Sequence, residues 1–258
     1  MNTENNKNIF FPAGTAEVNI IPVMQGDEQM KVEAGDLPDT LPILALRNAV
    51  LFPGMVYPVT IGREKSMTLI KDAEKRDLFI GAVPQVDVTV EEPSEKDLYE
   101  YGTVSRVMKV LEMPDGTITA IIQGVKRIRM AGVVSYEPYI TARVKYIDDI
   151  IPENDDSTKM IAESLKEKAA VIIKSSSFAP KEAIGALKSI DNYAFLVNFI
   201  ATTVEIENFM EKVQLLGIDD ITLRAMKLLQ VLDTQIQLLK IKQEINQKVK
   251  SDIDQQQR

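Results

Sequence analysis

The sequence predicts an α+β fold, a barrel-like body of short, mainly antiparallel strands followed by an all-helical region that ends in one long helix. Three observations predict it. Between Leu41 and Asp149 the apolar residues fall in short runs punctuated by Pro and Gly, the texture of strands and tight turns. Within that stretch, Pro114-Asp115-Gly116 separates two segments of alternating apolar and polar residues. Beyond Pro152 the apolar spacing changes from a period of 2 to a period of 3.6 and keeps it.

Composition bounds the chemistry. With 258 residues, 45% of them hydrophobic, the chain can bury a sizeable core. It has no Cys, His or Trp, which removes disulfides, thiol nucleophiles, imidazole bases and the commonest zinc ligands. The polar start MNTENNKN lacks the basic end and apolar run of a secretory signal, so a cytoplasmic location is expected. No apolar run approaches the ~20 residues of a membrane helix, so no membrane partner is expected. A net charge of -8 argues against a broad nucleic-acid surface.

Residues 1–40 form an acidic arm, with Glu4, Glu17, Asp27, Glu28, Glu33, Asp36 and Asp39 against Lys7 and Lys31. Two apolar clusters in it, Ile9-Phe10-Phe11 and Ile20-Ile21-Pro22-Val23-Met24, are candidate docking segments. Residues 41–150 are the β-rich region. LPILAL, LFPGMVYPVTI and LFIGAVPQV read as strands, several of them at edges or bulged, because Pro cannot donate to a ladder. REKSMTLIKDAEKRD between them reads as a helix, with Met67 and Ile70 on one side and Lys71 and Glu74 on the other. Val104, Met108 and Val110 alternate before the Pro-Asp-Gly turn, and Ile118, Ala120 and Ile122 after it, which predicts a hairpin. KRIRMAGVVS and YITARVKYI supply two further strands, and so many short strands curl into a barrel.

Residues 156–217 read as a helical bundle. Ser157 is a candidate cap for a helix with Ile161, Leu165, Ala169 and Ile172 on one face. Pro180 suits the first turn of a second helix, and further helices are predicted over 192–202 and 205–216, with Gly217 as a stop. Residues 218–258 form the last helix. It starts near Asp219 or Asp220 and runs through Leu228, Leu232, Ile236 and Leu239 toward Ile245 and Val249. Its polar end, with no Gly or Pro to stop it, fits a frayed terminus or a longer helix cut short.

Catalytic motifs are missing from the sequence. No glycine-rich run ends in the Gly-Lys-Ser/Thr that cradles nucleotide phosphates. Lys65-Ser66 and Ser94-Glu95-Lys96 lie in charged segments where a hydrated Lys keeps its proton, which does not make a Ser-Lys nucleophile. The pairs Glu91-Glu92, Asp148-Asp149 and Asp155-Asp156 read as loop solvation, not acid-base machinery or a metal site.

From Leu41 to Asp149 the chain resembles the amino-terminal region of Lon proteases. LPILALRNAVLFPGMVYPVTIGREKSM and GTVSRVMKVLEMPDGTITAIIQGVKRIRM carry the likeness through the order and spacing of their Leu-Pro, Phe-Pro-Gly-Met, Gly-Arg-Glu-Lys-Ser and Pro-Asp-Gly-Thr steps. The resemblance continues through Ser189-Ile190-Asp191 and into QLLKIKQEINQKVKSDIDQQQR, which is similar to the start of a long helix leading to an ATPase. It implies a PUA-like pseudobarrel followed by a helical bundle. It further implies a parent protein that forms a hexameric ring, uses ATP and Mg, and cuts proteins with a Ser-Lys dyad beyond Arg258. This segment would then catch unfolded or damaged proteins and help assemble the ring, with no cofactor and no catalysis of its own. A stand-alone binding or adaptor module without protease is the alternative.

A catcher of unfolded chains needs exposed apolar groups. The candidate contact is Leu51, Phe52, Met55 and Tyr57, where two prolines keep the backbone irregular, although the same side chains could fill the barrel. Arg47, Arg63 and Lys65 could add charge contacts to acidic substrates. Leu232, Ile236 and Leu239 could join subunits or domains, or pack on their own bundle.

Overall fold

The computed structural model describes residues 37–153, 155–176 and 182–256, and leaves aside the side chains of 182 and 249–256. The acidic arm up to residue 36, both of its apolar clusters, and Pro180 lie outside the described residues.

Six strands make one sheet: β1 (Thr40–Leu46), β2 (Val56–Ile61), β3 (Phe79–Pro84), β4 (Tyr101–Glu112), β5 (Ile118–Ser135) and β6 (Thr141–Ile147). Their order is β2-β5-β4-β3-β1-β6, and β6 also pairs with β5, so five strands nearly close a ring and β2 lies outside it at an edge. Pro58 sits in that edge strand, where a missing N–H is tolerated. Five of the pairings are antiparallel, as expected. The sixth, β1 with β3, is parallel from Ile43↔Gly81 to Leu46↔Pro84. The crossover it requires is supplied by β2 and helix α1 (Glu64–Arg76).

KRIRMAGVVS is not a separate strand. β5 runs unbroken for 18 residues, its first part paired with β2 and its last part with β6. It changes partners between Gln123 and Arg127, around Gly124, and its pairing with β6 then bends at register shifts around Val133, next to Gly132 at φ 114. Gly124 is crowded, since a Cβ there would stand 2.6 Å from the Phe52 carbonyl oxygen. In β4 a shift between Val107 and Lys109 breaks the predicted alternation, and Met108 ends up exposed. The hairpin turn itself forms as read, with Gly116 at φ 86.

The second half is helical: α2 (Asp156–Ser175), α3 (Glu182–Ser189), α4 (Tyr193–Thr203), α5 (Phe209–Gly217) and α6 (Ile221–Gln256). Ser157 does not cap α2. Asp155 does, its Oδ1 accepting the Thr158 N–H at 2.8 Å, while Ser157 donates its hydroxyl to the same carboxylate. The α5 helix starts four residues later than predicted because Asn208, not a residue near Glu205, accepts from the first turn, at the Met210 N–H. Asp220 accepts from Thr222 and Leu223 and starts α6 as expected.

One hydrophobic cluster runs through both halves, holding Leu46, Phe52, Met55 and Ile122 of the barrel region against Leu165, Phe199, Leu228 and Leu232 of the helices. A second cluster, with Leu41, Ile43, Val83, Val104 and Ile128, fills the barrel. Each such large side chain contributes about 1.5–3 kcal/mol on burial.

Candidate functional site

The apolar residues read as substrate contacts lie inside. Leu51, Phe52 and Met55 are 1%, 0% and 0% exposed. The Phe-Pro-Gly-Met segment is a tight turn, with Gly54 at φ 80, Met55 N–H donating to the Phe52 carbonyl at 3.2 Å and Gly54 N–H to the Gly124 carbonyl at 2.9 Å. Helix α4 covers it. Asn198 donates to the Pro53 carbonyl at 3.2 Å, and the Phe195 ring lies over Gly54. A docking chain cannot reach these side chains while the two halves stay together, so their apolar character serves the junction. Tyr57 packs against the same core, and burial pushes its phenol up. On α6, Leu232 is buried, and Ile236 and Leu239 are partly buried against the same bundle.

Arg47, Arg63 and Lys65 do come together. Arg63 and Lys65 line a groove of about 400 Å³ between the end of β1, the first turn of α1, the 91–94 loop and the 136–140 turn, and Arg47 joins it through the groove residue Glu91. Arg47 and Arg63 lie 2.8 and 3.9 Å from the two carboxylate oxygens of Glu91. Lys65 lies 3.6 Å from Glu92 and 2.6 Å from Glu137. The Glu137 hydrogen bond raises the Lys65 ammonium above its usual range. Arg63 is fastened from behind, its Nη2 donating to Gln85 Oε1 at 2.7 Å and to the Val90 carbonyl at 2.9 Å. Gln85, fully buried, donates to that carbonyl as well, at 2.8 Å, and so fixes the loop that carries Glu91 and Glu92. Tyr136 and Tyr139 form the opposite wall. Tyr139 donates to Asp72 at 3.2 Å, and burial followed by that bond raises its phenol.

A second polar constellation binds the barrel to the helices, and sequence reasoning missed it. Arg127 of β5 donates from Nε to Asp149 at 2.7 Å and from Nη1 to Asp219 at 2.9 Å and the Leu216 carbonyl at 3.1 Å. Arg224 of α6 reaches Asp149 at 2.8 Å, Asn198 at 3.1 Å and the Ile218 carbonyl at 3.0 Å. Both arginines are buried. Burial lowers the Arg224 guanidinium, with the Asp149 charge opposing that shift. In the sequence Asp149 is half of the acidic pair Asp148-Asp149. Only its partners, remote in sequence, reveal its role. Arg127 gives no separate signal, being one of three cations in Lys126-Arg127-Ile128-Arg129. Among the described residues no group of three or more acidic side chains is placed to hold a metal, and no helix is long and apolar enough to cross a membrane.

A near-closed barrel locked onto a helical unit, with a mixed-charge groove in the barrel wall, defines a binding module. Comparison with known proteins gives the family: residues 40–234 match the ATP-dependent protease La (LON) substrate-binding domain, and the chain belongs to it. It is 42% identical to the Lon protease of Flavobacterium johnsoniae over 244 residues, 94% of this chain and 30% of that protein. It is 40% identical to that of Cytophaga hutchinsonii, over 95% of this chain and 30% of the relative. The chain thus spans about 30% of the length of these curated relatives. The fold is shared with the N-terminal domain of the Mycobacterium avium complex Lon protease, at a TM-score of 0.61 and 18% identity over 75% of this chain and 98% of that one.

Proposed function

We propose that this chain is the substrate-recognition and assembly region of a cytoplasmic, ATP-dependent Lon serine protease that degrades misfolded, damaged and selected regulatory proteins. The observation that carries this reading is the substrate-binding-domain match over residues 40–234, in a chain that aligns with 30% of the length of the Flavobacterium johnsoniae Lon protease. The sequence itself carries no phosphate loop, and its Lys-Ser neighbours lie in charged surface segments. ATP, Mg, the Ser-Lys dyad and closure of a hexameric ring belong to the parent protein in this reading. The chain supplies protein capture through its barrel and a long lever, α6, toward the rest of the assembly.

An NMR titration of the isotope-labelled chain with a permanently unfolded protein, and with the same protein folded, tests it. Shifts produced by the unfolded form alone are expected. Equal response to both forms, or no response to either, overturns the reading, as does ATP hydrolysis by the purified chain.

A further inference from the structure

The groove beside Arg63 is a gap in the barrel wall. β1 pairs with β6 only through Thr40, Leu41 and Pro42, and the Ile43 N–H still reaches the Ile140 carbonyl at 2.8 Å. From there on β1 has β3 on one side and no strand on the other. Backbone groups two residues apart in a strand point the same way, so the Ala45 amide faces the gap as the Ile43 amide does. An extended backbone laid there continues the ladder that β6 abandons.

The charges beside this edge are unevenly matched. Lys65 already has two carboxylates, Glu92 and Glu137. Arg47 and Arg63 share one, Glu91, whose side chain is 74% exposed and whose only partners among the described residues are these two arginines. The contact is poor on the inner side. Arg63 Nε is buried without a hydrogen bond, and Glu91 at 3.9 Å is too far to provide one. Burial and the adjacent Arg47 charge hold the Arg63 guanidinium below its usual range, with Glu91 opposing them. One nitrogen of the cationic inner wall, Arg63 Nε, is thus unsatisfied, and the carboxylate that faces it sits at the solvent edge. Tyr136 and Tyr139 offer an aromatic surface for an apolar neighbour.

We propose that this groove receives an extended peptide segment bearing an Asp or Glu beside an apolar residue, whose carboxylate takes the place of Glu91 on Arg47 and Arg63 while its backbone pairs along β1 at Ala45. The inference rests on the substrate-recognition reading above and names the chemistry that one site selects.

The test uses two blocked synthetic peptides, Gly-Leu-Glu-Leu-Gly and Gly-Leu-Gln-Leu-Gly, titrated into the labelled chain and into its Glu91→Gln and Arg47→Gln variants, each checked for an unchanged overall amide spectrum. The Glu peptide is expected to shift the amides of Ala45, Lys65 and Tyr139. It should bind about two- to fivefold more tightly to Glu91→Gln and weaken by a similar factor in Arg47→Gln, the size of an exposed ion pair. The Gln peptide should respond to neither substitution. Equal binding of the two peptides, or no gain in Glu91→Gln, overturns the proposal. If the unfolded protein still shifts the labelled chain but neither peptide reaches the groove, this site fails and the substrate-capture reading stands. If the unfolded protein is silent as well, both fail.

Discussion

Arg127 and Arg224, 97 positions apart in sequence and on different halves of the molecule, donate to the same oxygen of Asp149, at 2.7 and 2.8 Å. Asp149 leaves the last barrel strand at the point where the chain enters the helical region, so one carboxylate pins β5, the connector and α6 together. Two buried guanidiniums close to one another repel, and the carboxylate between them, with Asp219 on the Arg127 side, offsets that repulsion.

Replacing that carboxylate takes from Arg224 its ion pair and leaves Arg127 with Asp219 alone. Asp149→Asn is expected to cost about 3–5 kcal/mol, the usual cost of breaking a buried charge network by removing one partner. Urea unfolding followed by far-ultraviolet circular dichroism reads this as a lower midpoint. An unchanged midpoint would mean that the lock contributes nothing to holding the halves together.

Phe52 distinguishes interior from contact surface. Phe52→Ala should lower stability by about 3–5 kcal/mol, as for large-to-small changes in a packed core. A surface contact residue at this position would leave thermal unfolding unmoved and change only the binding of unfolded protein. Full stability in Phe52→Ala would return the residue to the list of substrate contacts.

Capping of α2 separates two neighbouring residues. Asp155→Ala should lower the thermal midpoint by a few degrees, while Ser157→Ala should shift it little, because the Thr158 N–H is satisfied by Asp155. The Thr158 amide, then the Ser157 hydroxyl, hold the Asp155 carboxyl below its usual range. A depressed carboxyl stabilises the fold above the ordinary value of 3.8, and that contribution is lost as pH falls through the lower folded value. Lowering the pH below 3.8 should therefore affect wild type more than Asp155→Ala.

Lys212 supplies a pH dependence of opposite sense. Its ammonium, directed at the Thr202 carbonyl 3.3 Å away, is pushed down to about 8 by burial, with Glu205 opposing. The unfolded chain holds that proton up to the ordinary value of 10.5, so folding stability should rise as pH climbs from about 8 toward 10. The gain is about 1–2 kcal/mol for a side chain only partly withdrawn from water. Tyr146 and Tyr193, both pushed up to about 12 by burial, remove stability above pH 10 and close the window. Guanidinium unfolding at pH 7.5 and 9.5 should show the rise in wild type and not in Lys212→Met.

Local periodicity and turn chemistry were enough to predict the strands, the hairpin, the helix between β2 and β3 and the start of α6, because each depends on residues within one or two turns of chain. The division into a β-rich and a helical part came from the same source, the change of period past Pro152. Partnerships across the molecule had no such local signal. Nothing around Gly124 announces that β5 leaves β2 there, and nothing in Leu51-Phe52 tells whether those side chains face a substrate or helix α4, since both demand apolar groups. Asp149 looks like any loop carboxylate until Arg127 and Arg224 converge on it, and Glu91 until Arg47 and Arg63 do. The sequence by itself determined which segments are strands and which are helices. Only the tertiary structure decided which charges are shared and which apolar residues are sealed, because burial and ion pairing depend on distances between parts of the chain that local pattern does not encode.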